Sequence, residues 1–229
     1  MRLRFLLPYL LLATLATAQT AAPAASEVPI TAEPSHHLIL ENDYVRVFRV
    51  EVAPHAQTLI HLHDHDYIFV TLGDSEVENT VTGKAPIQLK LQDGDTRFLM
   101  GGFSHTARDL SDKPFRNITI ELLRETNHTP GTDYAPSADP AQKILFIQDK
   151  VRTSEIRLAP GAALARHEHK APHLVVALTD LNFRSDVEGK PPAEIHQEPG
   201  DIKWVPGGFT HTLTNIGTTE ARFITLEFP

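Results

Sequence analysis

The sequence contains no cysteine among its 229 residues. This absence excludes thiol catalysis, iron–sulfur clusters held by cysteine, and structural disulfides. A packed core must therefore hold the fold, even if the chain is exported to a compartment where disulfides form. The 41 % hydrophobic and 22 % charged content are typical of a globular protein and argue against disorder.

Positive charge is also scarce. The sequence has 21 Lys and Arg against 29 Asp and Glu, which gives a formal net charge of −8. An acidic surface repels phosphate groups, so nucleic acids and anionic membranes are disfavoured as partners. We expect a small-molecule substrate or ligand instead.

A long apolar run is missing as well. The run at 5–12 follows Arg2 and Arg4 and is too short for a confident membrane span. Together with the small residues at 16–18 it predicts a signal peptide over residues 1–18 and a secreted or periplasmic protein with no membrane contact after cleavage. Removing the two arginines changes the charge from −8 to −10. A retained membrane anchor is the competing interpretation.

Two segments have the composition of connections rather than of folded elements. Residues 19–37 are rich in Ala, Pro, Thr and Ser and predict a flexible leader, with His36 and His37 as surface residues at its end. Residues 127–143 are rich in Pro, Gly and Asp and predict a linker between domains.

An internal repeat determines the expected architecture. Shifting the chain by 106 positions places residues 38–123 on 144–229 without a gap, and 26 of the 86 aligned positions are identical. The repeat predicts two domains, 38–126 and 144–229. Two domains packed side by side would resemble a dimer of single domains, so the chain could act as a monomer. A homodimer of the whole chain is the alternative.

The elements within each repeat read as strands. The first repeat has short β-branched or aromatic runs separated by turn signals such as Gly73-Asp74 and Gly83-Lys84. No stretch shows a long 3.6-residue apolar period, so few helices are expected. The predicted fold class is all-β.

Histidines at short, repeated spacings are the strongest functional signal. His167 and His169 project from the same face of a strand because they are two residues apart. His211 follows a Pro-Gly-Gly turn that can bring it back beside them. His61, His63 and His105 repeat the pattern in the first half. Two metal sites are therefore predicted; histidines that only hydrogen-bond to one another are the alternative.

The two motifs that contain these histidines resemble those of cupins. In the second half Gly161, His167 and His169 fit the first motif, although His173 stands where the family has a Glu and Asp180 where it has a Gly. The second motif fits at all of its positions, namely Gly200, Pro206, Gly208, His211 and Asn215. The resemblance implies two tandem jelly-roll (double-stranded β-helix) barrels, a bicupin, each with a metal in its mouth.

The fourth position of each site stays open at this point. His173 is a candidate fourth ligand, or an acid–base group beside the metal. In the first repeat, where Met100 and Asp109 replace the motif's Pro and Asn, the candidates are Asp66, Tyr67 and His65. Asp66 and Tyr67 are also candidate catalytic groups.

Mostly imidazole donors without sulfur predict a divalent transition metal, namely Fe, Mn, Zn, Ni or Cu. Three or four histidines leave a position open for a ligand, as in a catalytic site. The leading hypothesis is therefore a metal-dependent oxygenase that acts on a small chelating substrate. A non-catalytic metal- or ligand-binding protein and a sugar isomerase or epimerase are the alternatives.

Thr119-x-Glu121 and Thr225-x-Glu227 form a further repeated pair on the last strand of each repeat. They are candidates for orienting a ligand histidine. Solvent-facing residues of an edge strand are the preferred interpretation.

Overall fold

The structure is a computed structural model that describes residues 26–124, 139–148 and 150–228. The predicted signal peptide, residues 19–25 of the predicted leader and most of the predicted linker lie outside these ranges. Residues 26–124 are called barrel 1 below, and the two later ranges together are called barrel 2.

Barrel 1 contains strands β1 to β10 and one short 3₁₀ helix after β1. Their bounds are β1 Val28–Pro29, 3₁₀ helix Ile30–Ala32, β2 His36–Glu41, β3 Val45–Val52, β4 His61–His63, β5 Tyr67–Thr71, β6 Ser75–Val81, β7 Ile87–Leu91, β8 Thr96–Leu99, β9 Phe103–Asp109 and β10 Phe115–Leu122.

Barrel 2 contains strands β11 to β19. Their bounds are β11 Gln142–Gln148, β12 Val151–Leu158, β13 Ala163–His169, β14 His173–Ala177, β15 Leu181–Val187, β16 Ala193–Gln197, β17 Ile202–Val205, β18 Phe209–Asn215 and β19 Ala221–Glu227. The prediction of an all-β chain with two jelly-roll barrels is confirmed.

Each barrel consists of two sheets. The outer sheets carry the histidines at short spacing and have the orders β1-β4-β9-β6-β7 and β13-β18-β15-β16, with three of these histidines on each sheet. The inner sheets have the orders β2-β3-β10-β5-β8 and β11-β12-β19-β14-β17. Strands far apart in sequence are neighbours in every sheet, which is typical of the jelly roll.

The two inner sheets pack against each other and form one shared core. Fully buried residues from both barrels meet there, including Ile68, Ile118, Leu174 and Ile224. The central strands β5 and β14 are consequently buried on both faces, toward the other barrel and toward their own interior. This explains why these two strands read as nearly continuous apolar runs rather than as alternating ones.

The boundaries of both domains differ from the prediction. Val28 pairs with His61 on β4, and Ile30 is buried in the core of barrel 1. Residues 26–37 are therefore part of barrel 1, so the prediction of a flexible leader over 19–37 is wrong for these residues. At the other boundary, β11 begins at Gln142, inside the linker predicted over 127–143. Composition misled here because Ala- and Pro-rich segments still pair when a sheet edge offers backbone partners.

No helix in the part of the chain that the structure describes is long and apolar enough to cross a membrane.

Candidate metal centres

Neighbouring strands of each outer sheet bring three histidines together. β4 and β9 pair so that His61 lies opposite His105, with His63 two residues further along the same face. β13 and β18 place His167 opposite His211 in the same way, beside His169. In each trio the ring nitrogens that could bind an ion lie within 4.8 Å of one another.

The Nε2 atoms of the barrel 2 trio form a nearly equilateral triangle. The separations are 2.9 Å for His167–His169, 3.2 Å for His169–His211 and 3.2 Å for His211–His167. In barrel 1, His63 and His105 have an Nε2–Nε2 separation of 3.1 Å. Three nitrogens that each lie about 2.0–2.1 Å from one ion are separated by such distances.

The Nδ1 atoms show which nitrogen of each ring is free to bind. Nδ1 of His167 donates to the carbonyl of Ala165 at 2.7 Å, and Nδ1 of His61 donates to that of Leu59 at 2.9 Å. Nδ1 of His211 pairs with Ser185 Oγ at 2.9 Å, while Nδ1 of His105 donates to Asn79. With the Nδ1 protons of His167, His61 and His105 held by these oxygens, the Nε2 lone pairs of the three rings face their sites. Such an arrangement is stabilised by a cation.

Burial keeps these rings neutral. Burial, followed by repulsion from neighbouring imidazoles, lowers the pKa of His169 to about 3 and that of His211 to about 4. In barrel 1 the same causes lower the pKa of His105 to about 3 and that of His61 to about 4. Neutral imidazole is the form that binds metals, so the donor sets fit a divalent transition metal.

A carboxylate lies behind the middle histidine in barrel 2. Oε1 of Glu227 is 3.7 Å from Nδ1 of His169, and its other oxygen accepts from Arg152 Nε at 2.7 Å. The equivalent Glu121 in barrel 1 is fully buried beside Arg46, with an Oε2–Nη1 distance of 3.1 Å. Both glutamates are on central strands, so the preferred interpretation of them as solvent-facing edge residues is wrong. A carboxylate behind a metal-binding histidine orients its ring.

His173 and Tyr67 occupy equivalent places and contact the trios with ring faces. The His173 ring stacks on His169 at a centroid distance of 4.1 Å, and Tyr67 stacks on His63 at 4.0 Å. Both side chains are buried and line the cavities of their barrels. Burial lowers the pKa of His173 to about 4 and raises that of Tyr67. The structure does not bring His173 into the trio, so it places an ionisable group beside the site.

Asp66 lies in a different environment. Its Oδ1 atom accepts a hydrogen bond from the Gly101 amide at 2.8 Å, and it is not among the residues that line the cavity. This bond joins two loops that approach so closely that a Cβ on Gly101 would lie 2.5 Å from the carbonyl oxygen of His65. The structure therefore shows Asp66 as part of the loop framework, while Tyr67 faces the cavity.

The two cavities differ in size by a factor of ten. The barrel 2 cavity has a volume of about 890 Å³ and the barrel 1 cavity one of about 90 Å³. Phe69 and Phe115 line the smaller cavity, whereas Val175 and Ala221 occupy the equivalent positions in barrel 2. Loss of two aromatic rings contributes to the open space around the second trio.

Glu33 and His36 were missed by the sequence analysis as site residues. The His36 ring lies 4.7 Å from that of His61, and its Nδ1 donates to Glu33 at 2.6 Å. The side chain of His36 is only 5 % exposed, so its interpretation as a surface residue is wrong, whereas His37 is exposed. Extending the 106-residue shift places Glu33 on Asp139 and His36 on Gln142, a signal that was available in the sequence.

No protein-family model and no curated protein sequence matches the chain. Solved structures do match its fold. AerE from Microcystis aeruginosa has a TM-score of 0.60 at 15 % identity, with 85 % of this chain and 97 % of that chain covered. Salicylate 1,2-dioxygenase from Pseudaminobacter salicylatoxidans has a TM-score of 0.60 at 12 % identity, with 87 % and 78 % covered. Oxalate decarboxylase from Bacillus subtilis has a TM-score of 0.58 at 12 % identity, with 81 % and 68 % covered.

The latter two are two-domain cupins. This chain has the same two-domain cupin fold, with one histidine trio in each barrel. At these identities the likeness concerns the fold, so the chemistry must be argued from the site.

Proposed function

We propose that this protein is an exported, metal-dependent enzyme that oxidises a small chelating substrate with dioxygen in barrel 2. The observation that carries the proposal is an open trio: His167, His169 and His211 converge at a cavity of about 890 Å³. A site that only sequesters an ion surrounds it with protein ligands, whereas a catalytic site leaves positions for substrate.

The trio would hold the metal through its three Nε2 atoms. A transition metal bound there would supply Lewis-acid and redox chemistry to a coordinated substrate. The donor set fits Fe, Mn, Zn, Ni or Cu, and Mn(II) centres occur in the similar oxalate decarboxylase.

The rest of the cavity positions the substrate and controls protons. Apolar side chains such as Phe183, Leu213 and Phe223 line it and exclude water from an organic ligand. His173 stands beside the trio with a buried Nδ1 atom that has no hydrogen-bond partner among the residues that the structure describes. In our proposal this atom accepts or returns a proton of the substrate.

The substrate class follows from the cavity and the fold. A mostly apolar cavity around an ion suits a small acid that binds the ion through two adjacent oxygens. The names of the similar solved structures, oxalate decarboxylase and salicylate 1,2-dioxygenase, refer to small acids of this kind. Residues 1–18 would direct the protein to the secreted or periplasmic compartment, where it would act as a monomer or homodimer without nucleic acid or membrane partners.

Metal analysis of protein purified from its native compartment is the first test. Oxygen uptake is then measured with salicylate, gentisate and oxalate as substrates. We expect a redox-active metal and uptake with at least one acid. His211→Ala should abolish turnover, while His105→Ala should reduce it less. Full activity in His211→Ala together with none in His105→Ala would move the reaction to barrel 1, and tight metal binding without any uptake would favour a binding protein.

A further inference from the structure

The N-terminal segment of barrel 1, residues 26–36, is built into the wall of the first site. β1 pairs in parallel with β4, the strand that carries His61 and His63. The Val28 amide donates to the carbonyl of Ile60 at 2.9 Å, and the Ser104 hydroxyl donates a hydrogen bond to the carboxylate of Glu27. Ile30 is buried in the barrel 1 core. The segment therefore covers the edge of the outer sheet next to the trio.

Glu33 is the anchor of this segment. Although only 3 % exposed, its carboxylate accepts hydrogen bonds from the Ser35 amide at 2.8 Å and from His36 Nδ1 at 2.6 Å. Its other oxygen accepts from the Leu59 amide at 3.2 Å. The carbonyl of Leu59 in turn holds the Nδ1 proton of His61. One buried carboxylate thus joins the segment to the residue that orients a histidine of the trio.

His36 takes up the space that a larger ligand would need. Its ring lies 4.7 Å from His61 and 6.4 Å from His63, measured between centroids. The remaining cavity of about 90 Å³ is about a tenth of the volume of the barrel 2 cavity. Barrel 2 has the shorter Asp139 and the amide Gln142 at the equivalent positions.

We propose that barrel 1 is a closed metal site, sealed by residues 26–36 with Glu33 as the anchor, that admits only water-sized ligands such as water, dioxygen or azide. Barrel 2 exchanges both its ion and larger ligands. The inference rests on the proposed metal binding by both trios but not on any reaction.

Cobalt release separates the two sites. The full chain is loaded with Co²⁺, and its visible absorption is followed after EDTA is added. We expect two phases, the slower by about tenfold or more because release from barrel 1 requires local opening of the segment. His61→Ala with His63→Ala should remove the slow phase, and His167→Ala with His169→Ala the fast one. A single phase, or a slow phase that belongs to barrel 2, would overturn the proposal.

The chain supplies its own matched variants. Glu33→Asp with His36→Gln places the two barrel 2 residues at the equivalent positions of barrel 1 and should accelerate the slow phase about tenfold. The reverse exchange, Asp139→Glu with Gln142→His, should retard the fast phase. Glu76→Gln, an exposed carboxylate elsewhere in barrel 1, should change neither rate. Azide should alter the cobalt absorption of both sites and salicylate only that of barrel 2. A salicylate response that persists after loss of the His167 and His169 side chains contradicts a closed barrel 1.

A measurement on the metal-free protein tests whether Glu33 anchors residues 26–36, independently of metal binding. Amide hydrogen exchange should show Val28 and Leu59 protected in the apo protein and exposed in Glu33→Gln, but still protected in Glu76→Gln. Equal protection in Glu33→Gln would refute the anchor. A chain that shows this protection but binds no Co²⁺ would refute the proposed function together with the closed metal site, and leave only the anchor supported.

Discussion

The Oε1 atom of Glu227 lies 3.7 Å from Nδ1 of His169, the middle histidine of the barrel 2 trio. In barrel 1, Nδ1 of His63 and Oε1 of Glu121 are both buried and have no hydrogen-bond partner within the described ranges. The carboxylate beside a second ring nitrogen is therefore a feature of His169 in barrel 2, where it raises the basicity of the nitrogen that faces the site.

Glu227→Gln should therefore weaken metal binding by barrel 2 by about tenfold, because an amide holds the His169 proton less strongly than a carboxylate does. Competition with a chromophoric chelator measures the effect. Glu194→Gln is the control, since Glu194 lines the same cavity but is exposed. Equal metal affinity in both variants would show that Glu227 has no role in orienting His169.

Arg46 compensates the buried charge of Glu121. Burial raises the pKa of Glu121, and Arg46 opposes that shift. Arg46→Met should cost about 3 kcal/mol at pH 7, because it leaves a buried carboxylate without its cation. The loss should become smaller as the pH falls toward 5, since a group with a raised pKa in the folded state is stabilised by protonation. Urea denaturation at both pH values checks this, and a loss that grows on acidification would contradict it.

The sequence was sufficient to predict those parts of the fold that follow from the internal repeat and from the spacing of residues along a strand. The 106-residue shift predicted two all-β domains, and the i, i+2 spacing predicted that His167 and His169 share a strand face. Alternation along β4 and β13 needs no tertiary information, because the strand itself determines which side chains point together.

Other features depended on contacts between distant segments. His36 reads as a tail residue until β2 pairs with β3 and turns its ring toward His61. The difference between the cavities likewise depends on Phe69 and Phe115, which neighbouring strands of one sheet bring to the same cavity. Local pattern does not show which side chains meet inside a closed barrel, and composition alone misassigned residues 26–37.

The shared core predicts that the two barrels unfold together. Ile118 of barrel 1 is fully buried between the inner sheets, and Trp204 of barrel 2 contacts Tyr44 of barrel 1 at 5.3 Å. Ile118→Ala should cost about 2–5 kcal/mol and shift the transition reported by Trp204 fluorescence, although the substitution is in the other barrel. Two separate transitions, with that of Trp204 unchanged, would contradict the shared core.

His173→Phe distinguishes the two roles open to this residue. Phenylalanine can keep the stacking on His169 but removes both nitrogens. Since His173 is outside the trio, we expect the variant to retain its metal and to lose about a hundredfold in turnover, the usual cost of removing an acid–base group. Metal content and the pH profile of turnover are measured together. Loss of the ion would instead show that His173 is a fourth ligand.

The buried histidines predict that the metal-free protein loses stability on mild acidification. Burial, followed by the neighbouring rings, lowers the pKa of His105 and His169 to about 3 each from the ordinary value of 6.5. Below pH 6.5 the unfolded chain therefore takes up protons that the folded chain does not. The free energy of unfolding should be level above pH 6.5 and fall below it, by about 1.4 kcal/mol per pH unit for each proton taken up.

Urea denaturation of EDTA-treated protein at pH 7.5, 6.5, 5.5 and 5.0 measures this slope. The window ends above the ordinary range of carboxyl groups, so histidines dominate it. His105→Asn should reduce the slope because it removes one buried ring, whereas His196→Asn should leave it unchanged because His196 is exposed. Divalent metal should add stability throughout this window, since rings whose pKa is lowered to about 3 or 4 stay neutral and available as ligands. Stability that stays level down to pH 5.0 would show that the trios are not held neutral by burial.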